Sequence, residues 1–306
     1  MVLYLYSTMK KLIVVTGPTA SGKTELAIRL ARHFQTEIIS ADSRQFFREM
    51  NIGTAKPDTN QLLEIPHHFI NSSSIAEDYN AGKYENDVLH LLTSIFQSKD
   101  IIILTGGSGM YINAVLFGFD ELPETDPILR KKIKDLFQKN GISYLQQEVT
   151  RLDPIFAKYA DMNNPQRLMR AIEASYLSGL PYSSLLSNSK RKRNFNFSIY
   201  VIDFPRQELY QRINLRVDKM VKEGFFEEAK SLINYREKRA LQTVGYREIF
   251  EAMDSGSSKE DTIELIKKNT RNYAKRQMTW FRRMENAIFI PAKNAFELIL
   301  ENENNN

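Results

Sequence analysis

Apolar residues follow two rhythms along this chain, and where each holds decides the fold class. Leu12-Ile13-Val14-Val15-Thr16 is a short unbroken apolar run after Lys10-Lys11 that stops at Gly17, the pattern of a strand buried on both faces of a parallel sheet. Glu37 to Ala41 (EIISA) and Ile101 to Leu104 (IIIL) repeat it, ending at Asp42 and at Thr105-Gly106-Gly107. Between these runs the period lengthens to that of helices, from Lys23 to about Phe34 and near Asn80 to Gln97. Strands alternating with helices predict an α/β fold, a doubly wound parallel sheet flanked by helices.

From about Asp120 to Lys190 the strand pattern disappears. The segment divides into helical stretches punctuated by Asp126-Pro127, Asn140-Gly141, Asp153-Pro154, Asn164-Pro165 and Leu180-Pro181. It reads as an all-helical insertion at 120–190 within a core domain formed by 1–119 and 191–306. Ser198 to Asp203 (SIYVID) then returns to the sheet as a strand, and Arg206 to Glu223 and Thr262 to Met284 carry helical periodicity. In the last of these, Ile263, Ile266, Tyr273 and Phe281 share a buried side, while Lys267, Arg271 and Lys275 line up on another. No internal repeat is evident.

Composition narrows the classes. A chain of 306 residues with 42% hydrophobic content can bury a sizeable core without staples. It has no cysteine, which excludes disulfide frameworks, thiolate zinc sites and cysteine nucleophiles. Met1 to Met9 lacks a basic n-region and a cleavage site, so it reads as an upstream start extension before Met9, not as a signal peptide. No run approaches the roughly 20 apolar residues of a membrane span, and the tail Glu301 to Asn306 looks too polar to pack, so a soluble protein is expected; the lack of cysteine fits a cytoplasmic setting, and a monomer is expected although the sequence does not decide the oligomeric state. The net charge of +5 matters less than its placement: seven basic residues and no acidic one lie between Leu265 and Met284.

The chemistry begins at Gly17-Pro18-Thr19-Ala20-Ser21-Gly22-Lys23-Thr24, which fits the phosphate loop G-x-x-x-x-G-K-S/T and sits between a strand and a helix, as its mechanism requires. Glycines let backbone N–H groups converge on phosphate oxygens, the helix N-terminus adds positive potential, Lys23 reaches the terminal phosphate and Thr24 can ligate Mg2+. A P-loop says only that a polyphosphate or diphosphate is held. The best Walker B strand, Ile101 to Leu104, ends in Thr105-Gly106-Gly107-Ser108-Gly109 with no carboxylate. Asp42 does end a strand and would project from the same carboxyl edge; read alone, it serves equally well as a helix cap or turn residue. His33, His67, His68 and His90 form no metal spacing and read as packing or loop residues.

GPTASGKT, SADSRQFF, MNIGTAKP (Met50 to Pro57), PHHF (Pro66 to Phe69), TGGSGMY (Thr105 to Tyr111), NNPQRLMRAIE (Asn163 to Glu173), VGYRE (Val244 to Glu248) and AKRQMTWFRR (Ala274 to Arg283) resemble, in matching order from about Leu12 to Arg283, the tRNA dimethylallyltransferases of bacterial type. The resemblance implies that dimethylallyl diphosphate rests its diphosphate on the P-loop and that an adenine beside the anticodon of tRNA enters from the opposite end. It implies that Asp42 takes a proton from the adenine amine, that Thr19 lies close to the reacting groups, and that Arg216 reaches the diphosphate; read alone, Arg216 would be a surface salt bridge. It also matches Asp42, Ser43, Arg44, Gln45, Ser108, Arg130, Gln166, Arg167, Leu168, Met169, Arg170, Gln242, Thr243, Val244, Gly245, Tyr246 and Arg247 to contacts with the anticodon stem-loop.

The residues themselves leave room for an anionic partner, which the resemblance identifies as RNA. Asn164 and Pro165 start a helix whose first turns carry Arg167 and Arg170, against the macrodipole, so that an anionic partner or nearby acids must compensate. The Lys267/Arg271/Lys275 stripe is a second candidate for phosphates. The sequence departs from the family at Ser108, usually threonine, and at Met110, usually leucine. Three other readings carry discriminators. A small-molecule P-loop kinase needs a strand-end carboxylate near magnesium, an isopentenyltransferase of free adenine nucleotides has little use for a basic helical insertion, and a non-catalytic RNA-binding module would not keep Lys23, Thr24 and Asp42 together.

Overall fold

The computed structural model describes residues 10–120, 122–186 and 190–305, so the segment around Met1 and Met9 lies outside the described residues. Six strands, β1 (Lys11–Thr16), β2 (Ile38–Ser40), β3 (His67–His68), β4 (Ile101–Gly106), β5 (Asn196–Asp203) and β6 (Ala287–Pro291), form one sheet in the order β3-β2-β4-β1-β5-β6. Every pairing is parallel. β1 and β4 lie centrally because they are apolar along their whole length, whereas the edges go to the two-residue β3 and to β6, whose Ile288 and Phe289 remain partly exposed. The unbroken runs predicted the inner strands; the two-residue β3 is too short for a periodicity signal to separate it from loop, and β6, a five-residue apolar run (AIFIP), is an addition to the strands expected from sequence.

Thirteen helices are described: α1 (Lys23–His33), α2 (Thr59–Glu64), α3 (Ala81–Ile95), α4 (Gly109–Phe117), α5 (Pro127–Leu152), α6 (Pro154–Tyr159), α7 (Pro165–Ser178), α8 (Tyr182–Leu185), α9 (Arg206–Lys222), α10 (Phe225–Ser231), α11 (Tyr246–Ser255), α12 (Lys259–Phe281) and α13 (Ala295–Asn304). Alternate side chains of β1 serve opposite faces of the sheet, as strand geometry dictates. Leu12 and Val14 pack with Val88, Leu92, Ile112 and Phe281 of α3, α4 and α12, and Ile13 and Val15 pack with Leu26, Leu30 and Ile299 of α1 and α13. The chain runs from β1 outward to β2 and β3, returns to β4, and then crosses to β5 on the other side of β1, so the direction of winding switches at β1.

The tail expectation is overturned. Glu301 to Asn304 belong to α13, and the Glu303 side chain is only 4% exposed, pairing with Lys11 at 2.7 Å and accepting a hydrogen bond from the Tyr200 hydroxyl at 2.7 Å. Its charge is compensated by partners about a hundred residues and more away in the chain, which local polarity does not reveal.

The chain divides into two compact units, one of 1–117 and 192–306, the other Gly118–Arg191. The second contains α5 to α8 around Leu145, Val149, Phe156, Leu168, Met169 and Ile172. Three of its helices begin on an Asx-Pro pair. Asp126, Asp153 and Asn164 cap α5, α6 and α7 by accepting first-turn N–H groups, and the proline that follows occupies the first helical position, where its missing donor costs nothing. Gly141, at φ 71°, breaks α5.

Candidate active site

The loop 17–22 leaves β1 and turns directly into α1. Gly22 stands at φ 82° at the helix N-cap, a conformation that favours glycine, and offers no side chain to cap the helix. The first-turn N–H groups of α1 therefore remain available to an anion. The rest of the loop is held from outside: Arg212 Nε donates to the Ala20 carbonyl at 2.8 Å, and the Gln277 amide on α12 does two things at once. Its Oε1 accepts the Thr19 N–H at 2.9 Å and its Nε2 donates to the Gly107 carbonyl at 2.9 Å, tying the P-loop to the segment after β4. Gly107 leaves the space that this amide fills.

Beside the loop, β2 delivers Asp42. The backbone after Ser40 stays paired with β4, Ala41 N donating to Thr105 O at 2.7 Å, and Gly106 is required there because a Cβ would collide with the Ala41 carbonyl. Asp42 Oδ1 accepts the Arg44 N–H at 3.0 Å, so the turn role is real. Its second carboxylate oxygen has no partner among the described residues and is left for the cleft that Asp42 lines. Ser108 sits across from it, its Oγ accepting the Ser43 N–H at 2.9 Å.

The cleft encloses about 1090 Å³ of empty space, solvent at its mouth included, between Thr19, Lys23 and Thr24, Asp42 and Arg44, and residues of α9 and α12. Arg216 reaches it from α9 and its Nε is buried without a partner, so the surface-salt-bridge reading does not apply. The charged lining residues are Lys23, Arg44 and Arg216 against the single carboxylate of Asp42. Burial pushes all three cations down. Lys23 falls to about 8, held down by burial and by Arg216 and drawn up by Asp42. Buried cations in excess of carboxylate are costly unless an anion joins them.

A pH dependence follows. A bound diphosphate favours the charged form of Lys23, so binding raises its proton affinity. Between pH 8 and 10 the free protein is partly deprotonated at this group and takes up a proton on binding, so affinity for diphosphate falls as pH rises through about 8. Calorimetric titration with inorganic diphosphate at pH 8.5 in buffers of different ionisation enthalpy will read that uptake; buffer-independent heats would exclude it.

The far wall explains two of the sequence motifs. Glu228 accepts N–H groups of Asn51, Ile52 and Gly53 at 2.8–3.0 Å and the Tyr246 hydroxyl at 2.5 Å, joining MNIGTAKP to VGYRE. A Cβ on Gly53 would strike Phe225 and Tyr246. Thr243, Val244 and Gly245 line the cleft, while Gly245 N donates to Glu248 at 2.6 Å. His67, read from sequence as packing or loop, also lines it: Nδ1 is 2.7 Å from the Ile65 carbonyl, and Nε2 is buried without a partner. Gln277, Glu228, Tyr273 and His67 escaped the sequence reading as site residues. For Tyr273 and Gln277 the available signal was the 266/270/273/277 spacing on α12, since all four positions line the cleft.

The remaining predicted contacts fall into distinct settings. Gln45 is buried and donates to the Thr54 and Ala55 carbonyls, and Tyr246 lies in a core. Gln242 donates to the Arg236 carbonyl, and Arg247 pairs with Glu248. In the helical unit, Leu168 and Met169 are buried core residues whose side chains are not available for contact. Arg130 and Arg170 share the buried Glu173 carboxylate at 3.0 and 3.1 Å, two cations on one acid. Gln166 is exposed and accepts from Arg130. Arg167 is exposed, lies over the Phe156 ring and has no ion pair among the described residues. The acid-free stripe on α12 is corrected: Lys267 pairs with Asp218 of α9 and Glu264, and Arg271 donates to Asn214. Lys275 alone of the three is exposed without an ion pair among the described residues.

Thr24 lines the cleft at the start of α1, and its hydroxyl has no partner among the described residues. No cluster of three or more His, Asp or Glu that could hold a metal by themselves occurs among the described residues. One hydroxyl beside a diphosphate site fits Mg2+, which keeps its waters and takes substrate phosphate oxygens, and does not fit a metal held in an all-protein cage.

A family model described as IPP transferase matches residues 45–284. A tRNA dimethylallyltransferase of Flavobacterium johnsoniae is 48% identical over 284 residues, 91% of this chain and 92% of the relative, and one of Christiangramia forsetii is 47% identical, covering 89% and 90%. Among solved structures, the full-length tRNA isopentenylpyrophosphate transferase of Bacillus halodurans superposes with a TM-score of 0.70 at 32% identity, covering 96% of each chain. A eukaryotic dimethylallyltransferase acting on tRNA gives a TM-score of 0.80 at 26% identity, covering 97% of this chain and 79% of that one.

Proposed function

Since this chain belongs to the tRNA dimethylallyltransferases, we infer that the cleft at the carboxyl edge of its sheet is where prenyl transfer takes place. The protein transfers the dimethylallyl group of dimethylallyl diphosphate to the N6 amine of the adenosine 3′ to the anticodon in tRNA, releasing diphosphate. The observation that best supports this use of the cleft is its charge: Lys23, Arg44 and Arg216 beside an uncapped helix N-terminus, with one carboxylate among them.

In the proposed mechanism the diphosphate lies against the first turn of α1, with Lys23 and Arg216 as its counter-charges. Thr24 would hold Mg2+, which when bound supplies further neutralisation of the leaving group. As the C1–O bond breaks, negative charge gathers on diphosphate, and preorganised donors act most strongly there because they need no reorganisation. The N6 nitrogen forms the new bond to C1, and the free oxygen of Asp42 accepts the N6 proton, so charge is conserved across the step. Gln277 acts through the loop by fixing Thr19.

The helical unit is proposed to contribute phosphate contacts through Arg167, Arg130 and Arg170. Arg167→Ala is expected to weaken binding of the anticodon stem-loop and to reduce its salt-dependence slope by about 1. An unchanged slope would remove Arg167 from the phosphate contacts. The whole reading is tested by incubating the protein with labelled dimethylallyl diphosphate, magnesium and either unmodified tRNA or AMP, then weighing the digested nucleosides. A prenyl mass on tRNA adenosine alone is expected. Label on AMP would favour the free-nucleotide reading, and turnover of ATP without prenyl transfer the kinase reading.

A further inference from the structure

Tyr273 stands apart from the other polar groups of the cleft. α12 crosses the site with Ile266, Thr270, Tyr273 and Gln277 on its cleft side. Gln277 spends its amide on the P-loop and Gly107, and the Thr270 hydroxyl bonds back to the Ile266 carbonyl at 2.7 Å. Tyr273 has no such occupation: its hydroxyl has no hydrogen-bond partner among the described residues, although the side chain lines the cleft and the hydrophobic pattern alone would sink it in the core. Its ring is anchored one helical turn from the Gln277 clamp, so its position is tied to that of the P-loop.

We propose that Tyr273 is a specificity-determining residue that donates its hydroxyl hydrogen to the adenine ring nitrogen flanking the N6 amine, completing with Asp42 a donor and acceptor pair that reads the edge of adenine. This rests on the reading that Asp42 receives the N6 proton. Adenine presents an amine donor between two ring acceptors, N1 and N7. Asp42 supplies an acceptor for the amine and Tyr273 supplies the adjacent donor. Guanine would place a carbonyl oxygen against the Asp42 carboxylate and, at N1, a donor against a donor. A site built to pair both groups rejects the analogue that leaves one of them unpaired. The phenol is held protonated, since burial first and the Asp42 charge second push its pKa up to about 12, so it remains a donor throughout the working pH range.

The test measures kcat/KM for prenyl transfer to anticodon stem-loops carrying adenosine, 1-deazaadenosine or 7-deazaadenosine at the target position, with wild type, Tyr273→Phe and Asp42→Asn. Tyr273→Phe is expected to lower kcat/KM on adenosine roughly two- to thirteenfold, the share of one neutral hydrogen bond. One of the two deaza substitutions should cost wild type a similar factor beyond its cost to Tyr273→Phe, because the variant has already lost that bond. Equal ratios across all three substrates, or a Tyr273→Phe enzyme with wild-type kcat/KM, would overturn the proposal. A merely structural role lowers all three rates together and so gives equal ratios. If Asp42→Asn transfers prenyl at the wild-type rate, the Asp42 reading itself fails; a slow Asp42→Asn with equal deaza ratios removes Tyr273 alone.

Discussion

Asp42→Asn will slow single-turnover prenyl transfer by roughly a hundredfold to ten-thousandfold, with affinity for the anticodon stem-loop changed far less. The asparagine keeps an oxygen for the Arg44 N–H, so the turn after β2 should survive, and it loses the basicity of the second oxygen. Only the proton acceptor is removed. The carboxylate also offsets part of the positive charge on Lys23, so the variant should bind inorganic diphosphate somewhat more tightly while reacting more slowly. That opposite movement separates a chemical role from a loss of fold. A single-turnover rate close to wild type would take Asp42 out of the mechanism.

Lys23→Met should cost about a hundredfold to a thousandfold in the transfer rate, the usual consequence of losing one preorganised donor to a developing anion. Its effect on stability should have the opposite sign. Lys23 has its folded pKa depressed from 10.5 to about 8, so the unfolded chain binds the extra proton between those values. Stability from this group therefore rises as pH climbs from 8 toward 10.5, and below pH 8 the buried charge burdens the fold in full. Methionine keeps the length of the side chain without the charge, so the variant should melt a few degrees higher at neutral pH while losing activity. A lower Tm together with lost activity would mean that the lysine holds the loop in place by its contact with the Pro18 carbonyl and does not act on the substrate.

Both predictions concern residues that stood out before any fold was known, and for the same reason. Lys23 lies in a motif whose strand, glycines and helix start are consecutive, so each local preference is visible within some fifteen residues. Asp42 ends an apolar run, and in a parallel sheet all such ends share one edge. The capping pairs of the helical unit were legible on the same grounds, because Asx-Pro needs only its own next turn to act. The family resemblance added Arg216, which an amphipathic pattern would have left on the surface.

Other parts of the site depended on which distant segment came alongside. The amide of Gln277 meets Thr19 across 258 positions, and Glu228 gathers the backbone of residues 51–53 across more than 170. The stripe on α12 looked free of acids because one partner of Lys267, Asp218, comes from α9 and the other, Glu264, lies just before the basic stretch begins. The polar tail packs because Glu303 reaches Lys11 and Tyr200.

By itself the amino-acid order determined the alternation of strand and helix, the phosphate loop, the carboxylate at the next strand end and the helix caps, all set by steric and hydrogen-bonding preferences among near neighbours. Tertiary structure alone decided which cations remain unpaired in the cleft, which amide clamps the loop and which hydroxyl is left free. Those outcomes depend on complementarity between side chains hundreds of positions apart, and periodicity carries no information about which faces will meet.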